Sequence, residues 1–162
     1  MTAADPLMSL PLDKLVTLYR MQAEACTETS FPLPGYELVF EAQEKLGLEF
    51  KRRGKEAQLH LLDFLDRKDE WIRYFAAIDA YEIEPVRCHK ALVGLIEEMA
   101  ISSGWAEGFL LDIDPTFHVQ LRALYRAQKA SPPPISLATQ QIIDRVRSTL
   151  DQMRSEDAKP HQ

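Results

Sequence analysis

At 162 residues the chain suits one domain with a sizeable core, and 46% apolar against 27% charged residues is an ordinary globular balance. A formal charge of -6 disfavours nucleic acid, because phosphate binding draws on Lys and Arg, and fits a basic protein partner better. Cys26 and Cys88 lie in no CxxC pair, MTAADPLMSLPLDK lacks a basic region leading an apolar run, and no stretch nears about 18 uncharged apolar residues. The expectation is therefore a cytoplasmic chain with no membrane span.

Strand signals are scarce and helical periodicity is frequent. Leu12, Leu15, Leu18, Tyr19, Ala23 and Cys26 trace a first helix, ended by the segment from Ser30 to Gly35 with its prolines at 32 and 34. Val39, Ala42, Leu46 and Phe50 mark a second, closed by Lys51-Arg52-Arg53-Gly54. That basic run suits a helix C-terminus, where cations meet the negative end of the dipole and glycine takes the capping conformation; an acidic contact is its alternative use. A short helix follows, with Leu59, Leu62 and Leu65 or Phe64 inward. The next helix spans residues 70–83, and Pro85 starts another that carries Cys88, Leu92, Leu95, Ile96 and Met99 to about Ser103-Gly104.

The segment WAEGFLLDID is apolar, short and interrupted by Gly108, and takes no clear assignment. Asp114-Pro115 reads as an N-cap and first-turn proline for a helix to about Lys129, with Phe117, Leu121, Leu124 and Tyr125 on one face. SPPP at 131–134 is a stiff break. Beyond it Ile135, Ala138, Ile142, Val146, Leu150 and Met153 repeat at helical spacing over residues 135–154. This stripe needs cover, either by capping the body or by pairing with a second copy, and residues 155–162 read as a frayed tail.

The middle of the chain, from LLDFLDRKDEW to ALVGLIEEM, resembles a HEAT repeat. Leu61, Leu62 and Leu65 stand in the first helix, Asp66 and Asp69 in the turn, and Ile72-Arg73 with Ala76-Ala77 in the second helix. More widely, from Leu12 to Gln128, the chain is similar to a small bacterial family of HEAT-like helical domains of unknown function. The segment GWAEGFLLDIDP departs from the repeat rhythm. The resemblance implies an all-α fold of six or seven helices in a short right-handed αα-superhelix, with residues 1–130 as the helical domain. It also implies a concave surface built by second helices, and an arginine at position 73 that braces a turn. Asp69 and Arg73, four apart, have the spacing to pair.

Several residues invite chemistry. Asp112 and Asp114 could hold a cation, or Asp114 could simply cap a helix. Cys88-His89 with His60 and Cys26 match no zinc spacing, and adjacent helical residues diverge by about 100°. No phosphate loop or nucleophile elbow occurs. The expected function is thus a non-catalytic protein-binding module without cofactor or metal, for instance an acidic antagonist of a basic toxin or a regulatory adaptor. Its candidate partner-binding residues are Trp71, Arg73, Tyr74, Asp79 and Tyr81, tested first where exposed. The alternative is a nucleic-acid-binding, DNA-glycosylase-like HEAT enzyme recruiting Trp71, Trp105 and Asp112. Asp79 is the anomaly: it falls in the apolar arc of its helix, so it either pairs or faces a partner.

Overall fold

The structure, a computed structural model, describes residues 5–28 and 35–159, the side chains of residues 28, 36 and 138 apart. It is all-helical among these residues, with eight α-helices rather than six or seven: α1 (Leu12–Glu28), α2 (Tyr36–Arg53), α3 (Lys55–Leu59), α4 (Glu70–Asp79), α5 (Pro85–Glu97), α6 (Ser103–Ile113), α7 (Phe117–Ala130) and α8 (Leu137–Asp157). The expected break from Ser30 to Pro34 lies outside the described residues.

The additional helix is α6. Its glycines, Gly104 and Gly108, sit on the solvent side while Ala106 and Leu110, four apart, are buried. The glycines therefore weaken helix propensity without interrupting the inward stripe. The expected short third helix is also modified, because α3 passes at His60 into a 3₁₀ turn to Phe64. That tighter winding buries Leu61, Leu62 and Phe64 and leaves Leu59 exposed, against its expected inward position. Helix α4 stops at Asp79 rather than 83, and α8 continues past 154 to Asp157.

Helix α4 is the centre of the assembly. It packs on α1, α2 and α5 and on the 3₁₀ turn, while α5 continues to α6 and α7. Ala76, Ala77 and Ala80 are fully buried where these helices close on one another. Tyr19 and Phe50 meet edge to face beneath them at 5.1 Å. Gln128 donates to the Ile96 carbonyl and ties the end of α7 to α5.

The first turn of α4 clasps three neighbours. Asp69 caps it, accepting from the Trp71 and Ile72 amides at 3.0 Å each, while its second oxygen accepts from Thr27 Oγ1 of α1 at 2.6 Å. Capping occupies that carboxylate, so the expected Asp69–Arg73 pair is not made. Arg73 instead forms a two-pronged pair with Glu98 at the end of α5, at 2.9 and 2.7 Å. Glu70, buried, accepts from the Ser102 amide at 2.8 Å and so holds the entry to α6.

Gly54 joins α2 to α3 at φ 95°, ψ -172°, with its amide bonded to the Phe50 and Lys51 carbonyls. Backbone in this region is essentially restricted to glycine. Gly54→Ala is expected to lower stability by about 1–3 kcal/mol through strain alone, since nothing lies near its missing Cβ. A thermal melt reads this as a fall of roughly 2–4 °C per kcal/mol, and an unchanged midpoint would show that the turn relaxes.

Candidate functional site

The residues singled out by sequence divide sharply by burial. Trp71 is 2% exposed and Tyr74 is 7% exposed, which removes both as free surface anchors. They belong to an aromatic cluster in which Trp71 lies 4.7 Å from Phe40 and 5.3 Å from Trp105, and Tyr74 lies 5.2 Å from Phe75. Desolvation holds the Tyr74 hydroxyl up at about 12, with help from nearby Asp79 and Glu44. The exposed edge of the cluster is Trp105, 43% accessible, contributed by the helix that sequence reasoning left unassigned.

Arg73 is half-buried and committed to Glu98. Tyr81 is half-buried, its ring 5.3 Å from Phe109 and its hydroxyl 3.4 Å from His89 Nδ1. Asp114 accepts from the Thr116 amide and hydroxyl at 3.0 and 2.7 Å and so caps the turn into α7, while Asp112 is exposed. Cys26 and Cys88 are free, buried thiols, pushed up to about 12 and about 11 first of all by burial. No group of metal-ligating side chains forms among the described residues.

Asp79 is the most unusual group in the body. At 7% exposure its carboxylate accepts from the buried Tyr19 hydroxyl at 2.7 Å, and Lys51 Nζ stands 4.0 Å from its other oxygen. Its backbone carbonyl accepts from Gln58 Nε2 at 3.1 Å, which satisfies one end of α4. The carboxylate is pressed onto the α2 backbone at Gly47, where an added Cβ would come 2.6 Å from its Cγ. Beside Tyr19 stands the side-chain amide of Gln43, which is fully buried. Burial raises the carboxyl to about 6, and the Tyr19 hydrogen bond and Lys51 offset only part of that.

Helix α8 carries several exposed large apolar side chains. Ser136 caps it, accepting from the Thr139 amide at 3.2 Å. Its start borders a hollow of about 350 Å³ that includes Thr27, Lys68 and the Arg73–Glu98 pair. From Val146 to Lys159 every residue is exposed, so the expected cap on the body is not completed. Val146, Leu150 and Met153 are 44%, 48% and 55% accessible, and a groove of about 560 Å³ runs along Ile142, Val146 and Leu150 beside Arg147 and Arg154. No helix among the described residues is long and apolar enough to cross a membrane. Set against family models, curated proteins and solved structures, the chain matches none.

Two predictions follow from Asp79. Its folded carboxyl is raised above the unfolded value of 3.8, so the stability tied to its protonated form is present below that pH and lost as pH rises through about 6. Asp79→Asn is therefore expected to stabilise the protein by about 1–3 kcal/mol at pH 7.5, with the gain vanishing below about pH 4. Urea titrations across this range check it; a gain independent of pH would refute the burial argument. Gly47→Ala is expected to cost about 1–3 kcal/mol by overpacking. In an Asp79→Ala background the same change should become neutral or favourable by up to about 1 kcal/mol, as alanine is the better helix former.

Proposed function

We propose that this protein is a non-catalytic protein-binding module built on a HEAT-like helical array. The observation that carries the reading is the exposed apolar face of α8. Val146, Leu150 and Met153 recur at helical spacing on one side of a helix that the body leaves uncovered along its C-terminal half. An exposed apolar stripe bordered by charge is the usual signature of an interaction surface, because leaving it in water forfeits about 25 cal/mol for each Å².

The carboxylates and arginine around α4 are engaged in contacts within the body. Asp69, Arg73 and Glu70 in the α4 clasp are each paired with a neighbouring element, and the same residues line the hollow of about 350 Å³ at the start of α8. Trp71, which the nucleic-acid alternative would place in a base-reading groove, is packed among Phe40, Tyr74 and Trp105. Of the candidate partner-binding residues, Tyr81 and Arg73 retain partial access, and Trp105 joins them as a secondary contact.

The test is affinity capture from the native cell with cross-linking, comparing the full chain with a Val146→Asp/Leu150→Asp variant. Both sites are exposed, so circular dichroism and melting of the variant should match the parent. A dominant partner captured by the parent and lost with the variant supports α8 as the binding face. A partner retained by that variant but lost with Trp105→Ala keeps the binding function and moves it to the body. Recovery of no protein partner together with salt-sensitive DNA binding would overturn the reading.

A further inference from the structure

We propose that the exposed face of α8 receives an amphipathic partner helix whose apolar stripe is edged by carboxylates. This rests on the reading of the chain as a protein-binding module and names the chemistry of its partner. On a wheel of about 100° per residue, Ile142, Ile143, Val146, Leu150 and Met153 fall in one sector of roughly 100°. Arg147 and Arg154, seven residues apart, stand side by side along one edge of that sector and border the groove. Arg147 has no ion pair among the described residues, and Arg154 meets Asp151 only at 4.0 Å. Asp144 lies farther round the helix, and Asp151, between the two arginines in the chain, leaves them the outnumbering charge along the groove.

A second copy does not satisfy this edge. In heptad terms Ile143 and Leu150 take one core position, Val146 and Met153 the other, and the two arginines flank them. A parallel pair would set Arg147 and Arg154 against Ile142 and Thr149 of the copy. An antiparallel pair would set arginine against arginine. The stripe also covers only about two heptads, short for a stable homodimer. A lipid surface fits no better, because α8 itself carries Asp144, Asp151, Glu156 and Asp157 against Arg145, Arg147 and Arg154.

A helix bearing Glu or Asp one heptad apart beside a Leu or Ile stripe matches both features. Its apolar residues would cover Val146, Leu150 and Met153, and its carboxylates would pair with the two guanidinium groups. The chain's charge of -6 gives such a partner no long-range attraction. The arginines therefore discriminate at contact distance, within a Debye length of the bound helix.

The experiment uses the full chain and two synthetic helical peptides of about 21 residues, the length of α8. They share one Leu/Ile stripe and differ only in flanking Glu or Lys, and binding is read by fluorescence anisotropy at about 0.15 M salt. The Glu peptide is expected to bind at least ~10-fold more tightly than the Lys peptide. Arg147→Glu/Arg154→Glu should reverse that order, and Leu150→Asp should abolish binding of both. Equal binding, a preference for Lys, or no binding of either peptide would overturn the proposal. So would a dimer of the free chain in light scattering that Leu150→Asp converts to monomer. A native partner that survives Leu150→Asp in the capture experiment would sink this proposal while leaving the binding function standing.

Discussion

Helix α4 is ten residues long with eight of them buried, and the remaining helices are organised by how its two polar ends are satisfied inside the protein. A helix leaves about four amides and four carbonyls unpaired at its ends, and water cannot reach most of them here. At the start Asp69 takes two of the amides, and its spare oxygen reaches α1 through Thr27. Arg73 and Glu70 extend the same turn to the end of α5 and the beginning of α6. At the finish Gln58 meets the Asp79 carbonyl while the Asp79 side chain reaches α1 through Tyr19. Each end of α4 thus fixes the position of at least two other elements.

The second of these ends is costly at neutral pH. Ionised Asp79 is held by one hydroxyl and by a lysine at 4.0 Å, which is thin compensation for a carboxylate this deeply buried. Gly47 is the counterpart of this arrangement. A glycine in a helix interior weakens the helix, yet any side chain there would displace the carboxylate. Gln43, fully buried, stands beside the same Tyr19, so two buried polar side chains and the glycine that makes room for one of them share one location. The α1–α2–α4 junction accordingly gathers its cost in one proton-sensitive place, while the carboxylates at the first turn of α4 are each hydrogen-bonded.

Much of this was legible in the sequence, and the failures have identifiable causes. The closing Gly54 and the stripe on α8 rest on local chemistry, which acts within a few residues, whereas Asp114 closes a turn onto Thr116 and α7 begins at Phe117, two residues past the expected Pro115. The Asp69–Arg73 pair failed because one carboxylate had two suitors and the nearer amides won. Helix α6 was hidden because glycines on an exposed face look the same in sequence as glycines in a loop. Asp79 was visible as an anomaly, but its partners Tyr19 and Gly47 lie 60 and 32 residues away in the chain. Gly47 did carry a faint signal, as an unexplained glycine in the middle of α2. Trp71 and Tyr74 were misplaced because a wheel gives direction but not which direction is covered.

The acidity of the chain also changes meaning once its acids are placed. Glu49 is drawn down to about 2, chiefly by its hydrogen bond from Arg52, and is shared with Arg53. Asp69, Glu70, Asp79 and Glu98 are likewise engaged within the body. Carboxylates bound in this way contribute to the net charge without forming a surface that a basic partner could grip. Overall charge is then a poor guide to what the molecule recognises. The arrangement next to exposed apolar surface is the better one, and on α8 that arrangement is two arginines and Asp151 along the edge of an uncovered stripe. A chain with a net negative charge and many exposed acids can therefore still carry a short run of arginines beside exposed apolar surface.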